Sequence, residues 1–355
     1  MRKLIILISL LTFVFPVAYG QIGGENTYDF LNLTNSARMA ALGGNQIAIN
    51  DSTDLNVSYN NPSLLRPDMK NMLSINYVGY FVGVKYGYAA YSFGTPLPGN
   101  FAVGMHYINY GNFIEALPNG QKTGATFNAA EYALNIIWSN QYKRFTYGIN
   151  LKPILSSFET YQSIGIAADL GISLFSKNRF TVTSLVARNI GTQITTYYDG
   201  ASRESIPFDL QFGISKKLQH APIRFAATMQ HLQKWDLAKP IEDNTSGTIV
   251  LKEDKFTKKF MRHLVLGIEL LPSPNFTIRA GYNYQLRQEL GFKDKMSTVG
   301  FSWGFGFHIS RFQLSYASAR YHVAGASNLI SVALNLNDGY KKTESKDLPE
   351  EGQPQ

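Results

Sequence analysis

The chain has no cysteine. No disulfide framework, thiolate metal site, cysteine nucleophile or lipid-anchored cysteine is open to it. Charge is also scarce. Asp, Glu, Lys and Arg make up 16% of 355 residues, against about a quarter in ordinary soluble domains. Much of the surface is therefore expected not to face water. Beyond the N-terminus there is no run of the roughly 20 apolar residues that a spanning helix needs. The histidines (His106, His220, His231, His263, His308 and His322) include no H-E-x-x-H spacing. The S-x-x-K element is absent, so Lys122-Thr123-Gly124, which matches one β-lactamase-type element, implies no acylating serine. No catalytic residue, metal site or cofactor is predicted.

What is present begins with an export signal. Arg2-Lys3, an apolar core over 4–17 and the small-x-small stretch Ala18-Tyr19-Gly20 read as a signal peptide over 1–20. A signal anchor is the alternative, but the core is short for a span. The formal charge is +8, or +6 once Arg2 and Lys3 are removed. That suits an anionic lipopolysaccharide surface and does not argue for nucleic acid.

From about Met72 the pattern has period two. Phe145, Tyr147, Ile149 and Leu151 alternate with Thr146, Gly148, Asn150 and Lys152. The same holds for 164–174, 208–215, 276–283 and 301–308. One face is apolar and the other polar or glycine, as for a strand with lipid outside and a polar lumen inside. A soluble sandwich also alternates, but in runs of about five or six residues, while several here reach about ten. The period-two test gives about fourteen strands. They start near Met72, Val84, Asn100, Thr126, Lys143, Ser163, Arg179, Pro207, Pro222, Arg262, Asn275, Met296, Arg311 and Ser327. Short connections (95–99, 140–142, 176–178, 217–221, 272–274, 310) alternate with longer ones (110–124, 156–162, 189–206, 233–261, 285–295). Bacterial barrels sort turns from surface loops in this way. The fold class predicted is all-β: a transmembrane outer-membrane β-barrel of about 14 antiparallel strands with an N-terminal plug. The barrel spans 71–337 and the plug 21–70. The polar stretch 338–355 reads as a disordered periplasmic tail, and both mature termini are expected in the periplasm.

Gly300-Phe301-Ser302-Trp303-Gly304 matches the G-x-S-x-G elbow. That motif needs a strand, a sharp turn and a helix, whereas the alternation here runs through to His308. Ser302 therefore reads as a lumen-facing strand residue. His263 and His308 read as polar lumen residues. Asp169, Asp209, Arg224, Glu269 and Arg279 fall on polar strand faces, so they are expected inside, lining a channel or pairing with the plug. Tyr77, Tyr80 and Phe81, then Tyr107, Tyr110 and Phe113, then Tyr197 and Tyr198, suit an interfacial girdle or plain β-propensity. The longest insertion carries Lys234, Trp235, Asp236, Lys252, Lys255 and Lys258, and a second loop carries Tyr197, Tyr198 and Arg203. Both are candidate docking surfaces, with a solvated loop as the alternative.

The plug assignment rests on a small-residue, Asn-rich segment that does not alternate. It holds Tyr28 to Leu33, Ser36 to Gly44 with Arg38, Gly43 and Gly44, and Asn61-Pro62. Gly43-Gly44 permits positive φ and close approach, and Asn61-Pro62 marks a turn. An N-terminal extension on a soluble β protein is the alternative. The order Phe30-Leu31-x-Leu33, Ser36-Ala37-Arg38, Ala41-Leu42-Gly43-Gly44, Asn61-Pro62 resembles the N-terminal segment of the FadL-like outer-membrane superfamily. With the longer string from Gly23, the chain looks most like the PorQ family of the Bacteroidetes type IX secretion system. That resemblance implies a non-enzymatic part in a cell-surface attachment complex. There it would hold a PorZ-like surface protein beside a PorU-like sortase and a PorV-like barrel, near lipopolysaccharide. The alternative it implies is a FadL-type channel for hydrophobic small molecules, which leave sideways through the wall. The inward positions read from the alternation, mostly Gly, Ser, Thr, Asn and charged, favour the scaffold. Phe30, Leu31, Met39 and Leu42 are the possible apolar lining.

Overall fold

A computed structural model describes residues 26–80, 83–117, 119–238, 241–243, 248–250, 255–290, 298–322 and 325–337. The signal-peptide and tail assignments, with Phe81 and Lys252, lie outside the described residues.

The alternating segments become the wall. In chain order they are β1 (Met72–Gly79), β2 (Lys85–Phe93), β3 (Asn100–Ala116), β4 (Lys122–Tyr142), β5 (Phe145–Phe158), β6 (Tyr161–Phe175), β7 (Thr181–Gln193), β8 (Asp209–Lys217) and β9 (Ile223–Met229). A detached pair, β10 (Ile241–Asp243) and β11 (Thr248–Val250), comes next. Then follow β12 (Leu264–Ser273), β13 (Phe276–Asn283), β14 (Phe301–Ile309), β15 (Phe312–His322) and β16 (Gly325–Asn335). Neighbours pair antiparallel, β9 pairs with β12, and β1 pairs with β16, so fourteen strands close a barrel. Closure removes the open edges that a sheet of this size would otherwise carry.

The alternation decides which side each residue faces. On β6, Ile164, Ile166, Leu170, Ile172 and Leu174 point outward and are 40–52% exposed, while Ser163, Ala167, Asp169 and Ser173 are buried inside. Around the barrel the outward set is a continuous apolar belt, which is stable against lipid and not against water.

Most strand starts fall within two residues of the sequence reading. Three features differ. β14 begins at Phe301, five residues past the Met296 start read from the sequence. The stretch 110–124 is no loop: β3 runs to Ala116 and β4 begins at Lys122, four residues before the Thr126 start read from the sequence. Likewise 156–162 is strand on both sides of a tight turn at Glu159, whose φ is +57°. Asn and Gly are poor strand formers, and that composition masked strands supported by pairing instead.

Residues 26–71 fold inside the barrel. Short helices α1 (Ala37–Ala41) and α2 (Val57–Asn60) are joined by turns, and the outer helices α3 (Phe256–Arg262) and α4 (Tyr284–Leu290) belong to loops. Ser36 caps α1 by accepting the Met39 N–H. Gly43 and Gly44, at φ 97° and 103°, end it, with the Gly44 N–H donating to the Met39 carbonyl at 2.8 Å. α1 packs on β13 to β16, while the turn Pro62–Leu64 packs on β4 to β6. Met39, Leu42, Ile47, Ile49, Leu55 and Met69 are fully buried.

The segment crosses the whole lumen. The Asn26 side chain accepts from Ser205 in the β7–β8 loop, and Thr27 N–H donates to the Ser205 carbonyl. At the opposite end Asn71 reaches Asn337, just past β16. Asn26 therefore lies at the loop end of the barrel and Asn337 at the turn end.

Candidate functional site

A charged latch holds the inner segment to the wall. Glu269 of β12 accepts from Arg38 Nε and Nη2, both at 2.9 Å, from Arg279 Nε at 2.9 Å and from Arg224 Nη1 at 2.5 Å. Arg38 Nη1 also reaches Asp51 at 2.8 Å and Asp54 at 3.3 Å. Three guanidinium groups thus meet three carboxylates. Buried charges persist only when paired and hydrogen-bonded, and a planar guanidinium meets a carboxylate best through two parallel bonds. Arg224, Glu269 and Arg279 therefore face the lumen but line no open path.

A second group sits at mid-barrel. β2 turns Tyr86 and Tyr88 inward and β3 turns His106 inward, while the inner segment brings Phe30 and Tyr59 against them. Ring centroids lie 4.9 Å apart for Tyr59–Tyr88, 5.3 Å for Tyr59–His106 and 5.5 Å for Phe30–His106. The Tyr59 hydroxyl lies 2.8 Å from His106 Nδ1 and 3.2 Å from the Leu31 carbonyl, to which it donates. Behind it, Lys152 and Arg188 stand 5.3 and 5.6 Å from the Tyr59 ring centre. Lys152 is wholly buried and bonds Asp169 at 2.6 Å and Asn189 Oδ1 at 2.9 Å. The Tyr88 hydroxyl, His106 Nε2 and Arg188 Nε find no hydrogen-bond partner among the described residues.

The wall next to this niche is interrupted. The β4–β5 ladder passes from Ala133–Ile154 to Ile136–Leu151 and skips the two pairs between. The cause is Pro153. Glu159 N–H donates to the Asn128 carbonyl, which puts Asn128–Glu159 in a bonded position, and counting in twos puts Leu134–Pro153 in another. Pro153 has no N–H to give Leu134. The side chains of Asn135, Asn150 and Lys152 lie on the lumen side of this gap, and Asn150 donates to Asn135 at 2.9 Å.

The inner turn is set by side-chain bonds. Asn61 donates to the Ile47 carbonyl at 2.7 Å and to Ser173 at 3.0 Å, and Gly148 leaves room for the Pro62 carbonyl. Ser302 stays within β14, accepts from Gly43 N–H and donates to the Ala41 carbonyl, so the G-x-S-x-G match is a seat for α1 and not an elbow.

The loop end carries the rest. Trp235 stacks on His263 at 4.9 Å and nears Phe256 at 5.8 Å, and Lys259 bonds Asp236 at 2.6 Å. His263 is buried, its ring nitrogens next to the Gln230 and Trp235 carbonyls. His308 is half-buried beside a cavity of about 210 Å³ at the turn end. Lys234, Lys255 and Lys258 are exposed. Asp209 receives the His231 N–H and Gln211. Burial pulls the His231 imidazole down, but the hydrogen bond and charge of Asp209, with Glu289, outweigh burial and the nearby Lys234 and raise it overall. Tyr197 is half-buried and donates to Ser156 at 2.7 Å, whereas Tyr198 and Arg203 are exposed. No described contact joins the Trp235 group to this second loop. Of the aromatic girdle, Tyr77 and Tyr107 face outward, but Tyr110 turns in to bond Glu131 and Tyr80 packs on Tyr86.

The niche escaped the sequence reading because β2 carries aromatics on both faces. Tyr86 and Tyr88 point in while Tyr91 and Phe93 point out, so alternation of polarity gives no sign of direction. Lys152 was visible only as one polar position in an alternating run.

No protein-family model and no curated protein matches the chain. Solved structures do. A mutant of the TodX monoaromatic hydrocarbon channel aligns at a TM-score of 0.51 and 15% identity, over 86% of this chain and 98% of that one. The P. putida toluene transporter TodX gives 0.49 and 14%, over 86% and 99%. A Pseudomonas aeruginosa FadL homologue gives 0.47 and 10%, over 85% and 98%. The likeness to the first is one of fold: a fourteen-stranded barrel of FadL-like type.

Proposed function

We propose that the chain forms a plug-gated passage in a Gram-negative outer membrane for small hydrophobic, ring-bearing molecules, with release sideways between β4 and β5. The observation that carries this reading is the aromatic niche of Phe30, Tyr59, Tyr86, Tyr88 and His106 beside the interrupted ladder at Pro153. Inward rings supply the apolar lining that the alternating wall positions lacked on paper, and rings prefer such tilted or edge contacts. The hydrocarbon channel that shares this fold supports the same reading. No step here calls for a catalytic residue. The test is toluene uptake by cells producing the chain. Uptake above that of empty-vector cells is expected, with a loss in Pro153→Ala, which restores the missing N–H and closes the gap. Uptake no greater than in empty-vector cells, or equal uptake by Pro153→Ala, sinks the reading.

A second reading, the surface scaffold, is favoured by the loop end. There Trp235 and Phe256 pack together, with the exposed basic residues Lys255 and Lys258 near Phe256 in the chain. On this reading the chain anchors a PorZ-like surface protein, near a PorU-like sortase, a PorV-like barrel and lipopolysaccharide. Gentle solubilisation and pull-down would recover a sortase-like protease and a surface β protein with the chain, and lose them on deletion of 236–259. Recovery of the barrel alone with bound hydrocarbon favours the passage.

A further inference from the structure

The β3–β4 hairpin outgrows the barrel. β2 stops pairing with β3 at Lys85–Asn109, and β5 stops pairing with β4 at Ala129–Phe158. Beyond those points, among the described residues, the two strands pair only with each other, through Asn112–Asn128, Phe113–Phe127 and Ile114–Thr126. The seven residues 110–116, at about 3.3 Å each, carry the ribbon roughly 20 Å past its last pair with β2. Both faces are open: Phe113 is 42% exposed and Ile114 54%, with Phe113 stacked on Phe127 at 5.3 Å.

At the fork where β4 leaves β5 there is an open notch of about 470 Å³, lined by Phe127, Asn128, Ala130, Tyr132, Ser157 and Glu159. The notch and the free edge are one feature. Asn128 turns its backbone toward β5, where its carbonyl accepts from Glu159, and two residues on Thr126 turns its backbone the same way with no strand beside it among the described residues. Neither proline nor charge blunts this edge from Ala125 to Asn128, the usual protections of an exposed strand.

We propose that the β4 edge from Thr126 down to the notch is a docking surface for an extended β-strand of another surface protein, added in line with β5. An open backbone edge is completed by a strand, because only a strand offers donors and acceptors at matching spacing. The added strand places an apolar side chain between Phe127, Ala130 and Tyr132, and Glu159 selects a donor or cation at its end. A second copy of this chain is a poor occupant. Two copies in one membrane stand upright together, so their β4 edges run the same way, and the antiparallel self-pairing of a two-fold edge contact is not available. This surface does not depend on what passes through the barrel.

The test is a photo-crosslinking phenylalanine analogue at Asn128, activated in intact cells, with the adduct identified by peptide mass spectrometry. The expected adduct is one peptide of another protein with an alternating apolar pattern. Thr126→Pro, which removes one edge N–H and adds a ring to the edge, lowers the yield about tenfold, while Thr126→Ser does not. Both substitutions lie outside the barrel wall, and the heat-modifiable gel shift of the folded barrel controls for folding. No adduct, adducts only to lipopolysaccharide or to this same chain, or a yield indifferent to Thr126→Pro overturns the proposal.

Discussion

Arg38 and Glu269 are joined by two parallel N–H···O bonds of 2.9 Å, one partner inside the lumen and the other on the wall. Glu269 is also the only acid that Arg224 and Arg279 share with Arg38 among the described ion pairs. The latch therefore hangs on the acid more than on any one base.

Glu269→Gln leaves three guanidinium groups buried without their shared anion. Removing one side of a buried pair costs about 3–5 kcal/mol. The expected result is faster hydrogen exchange across residues 37–54 and stepwise conductance in planar bilayers that the parent lacks. Arg38→Met is expected to do less, because Glu269 keeps Arg224 and Arg279. A silent Glu269→Gln would show that apolar packing alone seats the segment.

Gly281 is the tightest point of that seat. A Cβ there would lie 2.1 Å from the Gly43 nitrogen and 2.3 Å from the Leu42 carbonyl carbon. Gly281→Ala is expected to fold as a barrel but push the Leu42–Gly43 corner off β13, at a cost of about 1–3 kcal/mol or more. Protection of the Gly44 amide, which bonds Met39, reports it. Gly79→Ala, with nothing within 4 Å, is the matched control.

Lys152 and Asp169 are both wholly buried, at 2.6 Å. Lys152→Met keeps the volume but strands a carboxylate, so the heat-modifiable gel transition is expected to fall. The double change Lys152→Met with Asp169→Asn is expected to recover most of the loss, because the pair as a whole contributes far less than either broken half costs. Additive losses would refute the pairing.

The His231–Asp209 contact gives a pH dependence. A histidine whose folded pKa is raised contributes stability that is complete below the unfolded value of about 6.5 and fades as pH rises through the folded one. The neighbouring Leu232 N–H donates to the Leu210 carbonyl at 3.0 Å. Protection of that amide, measured relative to His231→Gln, is expected to be greater at low pH and to converge with the variant as pH rises. A constant difference would sever the link.

The wall was legible in the sequence because lipid and lumen impose opposite chemistries on successive residues. Met72 and Asn100 begin strands where the period-two pattern starts. The ribbon was not legible: once β3 and β4 leave the membrane both faces meet water, so nothing enforces alternation, and Asn112, Thr123 and Gly124 look like loop. The inward charges at Asp169, Glu269 and Arg279 were readable as inward, but their partners were not, since pairing between residues 38 and 269 depends on how the inner segment is threaded. The aromatic niche was hidden for a different reason, as Tyr on both faces of β2 erases the contrast on which the pattern depends.

That threading has a consequence for topology. An even number of wall strands returns the chain to the side on which β1 began, but the segment from Asn26 to Asn71 adds one further passage through the same pore. The described chain therefore passes along the barrel an odd number of times, and Asn26 and Asn337 stand at its opposite ends. With no native cysteine to interfere, one thiol placed at either point reads that parity directly. A force applied at Asn26 first loads the bonds of Asn26, Thr27 and Tyr28 to the β7–β8 loop and the wall, well before the Arg38 latch.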